Sequence, residues 1–539
     1  MEKRIILFIL LSTLILFLYP FLIQKIGWIE PPEPPPVERP PQKPSEEESA
    51  GPVITRPAAP EQSERTLTVS TPLFEAALSN RGGVITSWRL KRYTQNGTAS
   101  PIDLLASPAA APFPLSTPSH PELANALYSV EGGDLVLNET TPAGEVQFSY
   151  QDPTTGARVH KRLTFSSENY LVRVEVGSAG IPDPLLLSLG THFGMAETGQ
   201  GQMIGFVGPE TRLGEELIKD APDKLTETKR HEGPVVWTAL QDKYFVAALL
   251  PDASGAVTVS KTEDQRLTVG VELKPGRSSV RLYAGPKEYD RLRDLGVRLE
   301  QTIDFGWFIF GSWGMVRLIA EPLFYVLKVF YEYTHNYGAA IILVTVGLRA
   351  LFIPLNHKSY KAMKVMQTLQ PEVAALQKKY KDDKERLNRE LIELYRKHKA
   401  NPLGGCLPML LQIPVFIALF NILYMTIELR QAPFIGWVTD LSSKDPYYVL
   451  PILMGITMVV QQKLQPSSPD PRQARIMMFM PVLFTFLFLS FPSGLVLYWF
   501  TSNLLTIAQQ YVTMRFIEGG SPAAPETRSK KKLKTTDGA

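Results

Sequence analysis

The sequence contains a single cysteine, Cys406, in 539 residues. One thiol excludes an internal disulfide and any Cys-rich metal site. The seven histidines, at positions 120, 160, 192, 231, 335, 357 and 398, lack ligand spacing, so metal chemistry has little support. The formal net charge is only +3, which offers no global attraction to nucleic acid. A phosphate loop of the G-x-x-x-x-G-K-[ST] type is missing, so nucleotide hydrolysis is not expected. The first 300 residues show no nucleophile–base set. These absences lead to the expectation of a protein that is not an enzyme and carries no cofactor.

Apolar residues make up 44% of the chain, and they gather at its start and in its last two-fifths. Lys3 and Arg4 precede an apolar run from Ile5 to Ile23, with Pro20 placed to bend it and Trp28 at its far edge. The run is long for a cleaved signal and has no small-residue exit site. Residues 1–29 therefore read as an uncleaved signal anchor with a cytoplasmic amino end. Residues 30–65 are dense in Pro and Glu and nearly devoid of large apolar side chains, which gives an extended tether.

Residues 66–300 read as a β domain beyond the membrane. Short runs at 67–70, 84–88, 146–150, 159–165, 170–176, 244–248 and 280–283 are rich in β-branched and aromatic residues, and several alternate. Many short strands predict one large antiparallel sandwich, closed by a helix over 287–299. Its expected role is structural or docking.

The second half reads as a membrane bundle. Gly338–Leu355 is about 18 residues of near-continuous hydrophobe, or roughly 27 Å of helix. Inside it sits Arg349, whose guanidinium never deprotonates in a protein. A charge at that depth costs about 2.5–3.5 kcal/mol on insertion scales. It either snorkels to the headgroups or serves a polar visitor. Further spans are expected at 407–427, 448–464, 475–491 and 494–512, six in all with the anchor. The apolar stretch 305–320 is instead expected to lie along the outer interface as an amphipathic helix, within a connection spanning 301–337. Six spans return the basic tail, 517–539, to the cytoplasm, where Lys463, Arg472 and Arg475 also belong.

Between the first two of these spans, residues 356–402 carry twelve Lys/Arg against six acids. Three/four spacing of apolar residues on either side of Lys381-Asp382-Asp383 predicts two antiparallel helices, with Pro371 starting a fresh segment or kinking the first. The hairpin suits both a solvated seam of its own and a basic, Met-containing platform for partners or anionic lipid headgroups. Thr345, Arg349 and Asn356 share one helical stripe; Trp499, Ser502, Thr506 and Gln509 form another. Gln412 lies at a depth like that of Arg349, while Asn421 faces away from it.

Four motifs carry a resemblance: Asn401-Pro-Leu-Gly-Gly-Cys-Leu-Pro408, Glu428-Leu-Arg-Gln-Ala-Pro433, Asp445-Pro-Tyr-Tyr-Val-Leu-Pro-Ile-Leu-Met-Gly455 and Phe491-Pro-Ser-Gly-Leu-Val-Leu-Tyr-Trp499. They closely resemble the bacterial YidC family of membrane protein insertases. The resemblance is most specific over Gly306–Phe516 and also fits the order of anchor, tether, β domain and helices. It implies an all-β periplasmic super-sandwich joined to a five-helix insertase core (338–516) in the bacterial inner membrane. It further implies a hydrophilic groove with Arg349 as its lone charge and Thr345, Gln412 and Ser502 as neighbours. Tyr498 and Trp499 fall where substrate-contacting aromatics are expected, although Trp499 stands where a Tyr would be. The implied partners are nascent membrane proteins, the Sec translocon with its accessory subunits, and the ribosome. Two other classes fit the residues less well: a polytopic solute transporter, which would show paired repeats, and an envelope-binding sensor working through its β domain.

Overall fold

Alternation in the strand Arg158–Ser166 sets the pattern for the first half of the molecule. Val159, Leu163 and Phe165 point inward and are buried. Lys161 occupies an inward position too and is fully buried. Its Nζ donates to the carbonyls of Gly82 at 2.6 Å and Leu115 at 2.7 Å, and more weakly to Gly83 at 3.3 Å. Burial pushes the amine down to about 7. A buried lysine thus ties two loops to the sheet, with no acid beside it among the described residues.

The computed structural model describes residues 63–519, apart from 96–97, 106–111, 182–183, 197–204, 263, 309–310, 313, 382, 399–406 and 465–470. The expected anchor, nearly all of the tether, Cys406 and the tail from 520 lie outside the described residues.

A nine-stranded sheet runs in the order Glu216–Lys219, Gly208–Leu213, Val235–Gln241, Phe245–Pro251, Gly276–Pro286, Leu171–Ala179, Arg158–Ser166, Ala143–Gln151, Ser129–Glu131. A four-stranded sheet (Leu185–Thr191, Leu267–Leu273, Ser254–Lys261, Lys229–Glu232) packs on it through Val235–Gln241 and Leu267–Leu273. A five-stranded sheet holds Pro101–Asp103, Val84–Thr94, Phe74–Ser79, Thr66–Ser70 and Leu135–Val136. All seven expected runs lie in strands, save for Tyr170 and Tyr244 at strand edges. Phe74 stacks on Trp88 at 4.1 Å in the core.

Short helices punctuate the sheets: α1 (Pro121–Asn125) and α2 (Tyr289–Asp294). The helix expected over 287–299 is therefore shorter. Gly296 and Arg298 adopt left-handed backbone, and the chain resumes in a 3-10 turn, Leu299–Thr302. Residues 305–320 also differ from expectation. A two-stranded ribbon, Trp307–Phe308 with Gly311–Ser312, comes first, and the helix α3 begins only at Gly314 and runs to Thr334. Pro322 lies inside α3 and does not end it. It has no N–H for the Leu318 carbonyl, and Leu318 sits at the surface, 74% exposed, where that loss is least costly.

The remaining helices are α4 (Tyr337–Lys379), α5 (Lys384–Lys397), α6 (Leu407–Met425), α7 (Val449–Leu464), α8 (Pro471–Phe488) and α9 (Ser493–Gly519). The break between α4 and α5 falls where expected, and Asp383 caps α5 by accepting from the Arg386 N–H at 3.0 Å. Pro371 starts no new segment: α4 passes both Pro354 and Pro371, so the first arm of the hairpin continues the apolar helix. Within the described residues one helix, Tyr337–Ala362, is long and apolar enough to cross a membrane; 412–425, 449–464 and 478–488 are shorter apolar helices. Leu351, Ile456, Phe479, Val482 and Phe486 stand more than half exposed on α4, α7 and α8, with many others. That is far more exposed apolar surface than a soluble monomer carries.

The sheets meet the helices along a polar seam. Asn421 of α6 donates to the Phe305 carbonyl at 2.8 Å, so it does face away from Gln412. Arg430 donates to the Thr94 carbonyl at 2.7 Å, and Lys328 of α3 pairs with Asp290 of α2. Glu428, on the turn after α6, accepts from its own N–H and from the Tyr289 N–H, and its Oε2 is out of solvent with no partner among the described residues. Burial, with Glu288 adding repulsion and Lys328 opposing it, pushes this carboxyl up to about 7; Tyr93 and Tyr337 also face it. A carboxyl raised on folding stabilises fully below its unfolded value, 4.5, and the contribution is lost as pH rises through about 7. The thermal midpoint of the purified protein is therefore expected to fall between pH 5 and pH 8. In Glu428→Gln that part of the fall disappears, which a pH series of melting curves on both proteins checks.

Candidate functional site

The start of α4 is fixed by its cap. Asn336 accepts from the Ala339 N–H at 3.0 Å, and Tyr337 stacks on Tyr331 at 3.8 Å. Thr345, two turns in, returns its hydroxyl to the Ile341 carbonyl at 2.6 Å. One turn further, Arg349 is half-buried and turned toward α9, where its guanidinium donates to Ser502 Oγ at 2.5 Å. It does not reach out along the helix surface.

The other wall, α9, is held at its start. Ser493 donates through both N–H and hydroxyl to the Ser443 carbonyl, at 2.7 and 2.8 Å, and the Gly494 N–H reaches the Leu441 carbonyl at 2.9 Å. A Cβ on Gly494 would come within 3.2 Å of that carbonyl oxygen, so only glycine allows the approach without a shift. The loop itself is organised by Asp445, which is fully buried. Its carboxylate accepts from the Trp437 indole and from the N–H groups of Tyr447 and Leu450, the last at 2.7 Å.

Between the walls lies a small pocket lined by Thr345, Leu348, Arg349, Phe352, Gln412, Val415, Tyr498 and Ser502. It has space for about one water molecule. Five of the six expected site residues thus come together, and Gln412 hydrogen-bonds Tyr498 across the pocket. Trp499 is the exception and does not line it. Its ring packs edge-on against Phe416 at 4.9 Å and Phe488 at 4.8 Å, and lies 5.8 Å from Phe484. The apolar lining residues Leu348, Phe352 and Val415 were not singled out from sequence, where nothing separates them from any other span residue.

Two family models match the chain: the YidC periplasmic domain over residues 66–326 and the 60Kd inner membrane protein over residues 329–520. The Membrane protein insertase YidC of Geotalea daltonii is 38% identical over 95% of this chain and 98% of that one. Its counterpart in Geotalea uraniireducens is 41% identical over the same shares. The chain belongs to the YidC family of membrane protein insertases.

Among solved structures, an active YidC insertase with its first transmembrane domain resolved matches 84% of this chain and 93% of that one, at 19% identity and a TM-score of 0.36. By the family models, the sheets of residues 66–286 fall within the YidC periplasmic domain, and the α4–α9 helices within the 60Kd inner membrane protein match. Relatives that are insertases along nearly the whole chain leave the transporter and sensor readings without support.

The aromatic packing of Trp499 generates a stability prediction. Trp499→Ala removes a ring wedged between α6 and α8 and is expected to destabilise the helical part by about 3–5 kcal/mol. Trp499→Phe retains most of the packing and shifts the melting midpoint little. Equal melting of all three proteins would contradict the packing role.

Proposed function

We infer that this chain inserts nascent membrane proteins into the bacterial inner membrane, assists their folding, and receives their hydrophilic segments at the Arg349 pocket. One observation carries the reading: a permanent cation within an apolar helix is turned inward onto Ser502 and shares a pocket with Thr345, Gln412 and Tyr498. Intramembrane charges facing a bundle interior mark paths for polar cargo.

In the proposed topology α6, α7, α8 and the apolar parts of α4 and α9 cross the bilayer, and the segment near the amino end makes a sixth span. The excess of Lys/Arg in 356–402 and in the tail favours cytoplasmic positions for both, with residues 66–300 in the periplasm. We place α3, in the 301–337 connection, along the outer interface. Exposed Leu318, Val329 and Tyr333 support this, as does the Lys328 tie to Asp290.

In the proposed cycle the substrate's hydrophobic segment first docks at the α4–α5 hairpin. Its polar flank then enters toward Arg349, which lowers the desolvation penalty for an acidic tail. A potential positive outside helps such a tail by about 2.3 kcal/mol per charge per 100 mV. The hydrophobic segment leaves between α6 and α9 into lipid, driven by about 25 cal/mol per Å² of apolar burial. No bond chemistry is involved. The ribosome and the Sec translocon are proposed partners at the hairpin and along the helices, and anionic headgroups are proposed to gather at its basic face.

Arg349→Ala is expected to slow insertion of acidic-tailed substrates several-fold while sparing neutral-tailed ones. Insertion into vesicles of the two substrate kinds, scored by protease protection, reads the difference. Site-specific crosslinking from Gln412 to ribosome-held nascent segments tests the pocket itself; its failure at every chain length would falsify the receiving role.

A further inference from the structure

Beyond the Arg349–Ser502 contact, α4 and α9 join a second time. Asn356 Nδ2 donates to Gln509 Oε1 at 3.1 Å. Each residue stands seven positions after a member of the first contact. Seven residues are nearly two full turns, so the second contact lies on the same faces, about 10 Å further along both helices. The equal interval in the same order means that α4 and α9 run parallel here. The second contact therefore sits on the side of the pocket that leads to the α4–α5 hairpin.

The chemistry of this pair is unusual for simple packing. Asn356 is buried, at 6% exposure. Gln509 Nε2 is out of solvent and has no hydrogen-bond partner among the described residues. A buried donor left unpaired costs about 1–3 kcal/mol, whereas two apolar residues would hold the helices together without that penalty. The arrangement suits a contact made to open onto something polar.

We propose that Asn356 and Gln509 form a polar latch across the mouth of the Arg349 pocket, which an incoming hydrophilic segment opens by hydrogen-bond exchange. The proposal rests on the reading of that pocket as the receiving point. With the latch closed, the two helices are held together and the pocket keeps room for about one water molecule. An extended polypeptide offers a carbonyl to the free Nε2 and an N–H to Oε1, so the bond between the amides is replaced and not merely lost. The segment meets the latch before it meets Arg349. Both amides are positioning residues: they set when the pocket opens.

The test uses the full-length protein with ribosome-held nascent chains of stepwise increasing length. A photo-crosslinking amino acid is placed at position 509 or at position 502. Position 509 is expected to capture chains about three residues shorter than position 502 does, the span of about 10 Å in extended chain. Capture at 502 first, or at 502 with none at 509, overturns the latch and leaves the Arg349 reading standing. Capture at neither position overturns that reading, and the latch with it. A second arm separates gating from structure. Asn356→Asp is expected to slow acidic-tailed substrates several-fold more than neutral-tailed ones, and Gln509→Glu serves if that variant fails to fold. Equal loss on both substrates marks a structural contact only and sinks the proposal.

Discussion

A guanidinium keeps its proton wherever it is placed, and the helical part of the molecule is arranged around that constraint. Arg349 lies among Leu348, Phe352 and Val415, and the charge-assisted bond to Ser502 is its one hydrogen bond among the described residues. A single such bond, about 1.5–3 kcal/mol, is of the same size as the insertion cost of the charge. The cation is therefore tolerated, not strongly stabilised, at that depth. A ligand carrying negative charge gains more from it than Ser502 does. A fully satisfied guanidinium, in a bidentate pair with a carboxylate, would have no such reserve.

The site needs walls that hold their spacing, and these are fastened at the loop before α9. Asp445 gathers three donors with one carboxylate, and Ser493 and Gly494 fasten the start of α9 to the same loop. The sheets are tied to the same region by Asn421, Arg430 and the Lys328–Asp290 pair. At the other end α4 runs on past the pocket into the hairpin arm, while α9 is tied to α4 by Asn356–Gln509 and to the end of α7 by Gln510, which donates to the Leu464 carbonyl at 2.9 Å.

Periodicity made much of this legible, and its limits explain what was missed. Strands with one solvated face, such as Arg158–Ser166, alternate and could be read. Val235–Gln241 and Leu185–Thr191 are buried along most of their length, so their sequences show no alternation to read. The two polar stripes followed from 100° per residue, but their pairing is a tertiary fact that no spacing within one helix encodes. Trp499 shows the cost of reading stripes too broadly. It lies three residues before Ser502, hence about 60° around the helix, and that offset turns the indole into the Phe416–Phe488 layer. Pro322 inside α3 is a further limit, since the exposure of the carbonyl it deprives, which decides whether the helix continues, is not written in the sequence. Glu428 gave no signal, since burial of one acid between Ile427 and Leu429 depends on the sheets packing over it.

In the proposed topology and cycle, the direction of the polar path follows from what stands on either side of the pocket. On the outer side, a polar segment at Arg349 faces packed side chains, a loop pinned by Asp445 and sheets fastened above it. On the hairpin side, among the described residues, it faces the hydrogen bond between the Asn356 and Gln509 amides, one of which retains an unused donor. Breaking a neutral bond that the visitor replaces changes the free energy little, while separating packed apolar surfaces forfeits about 25 cal/mol per Å². The pocket is thus easier to enter from the hairpin side than to leave outward, and outward passage needs a further driving force. For the polar flank, the membrane potential supplies one on acidic charges. For the hydrophobic segment, burial in lipid supplies the other. In the proposed cycle these two forces act on different parts of the same substrate, so a substrate with an acidic flank and a strongly apolar segment is the one this geometry favours.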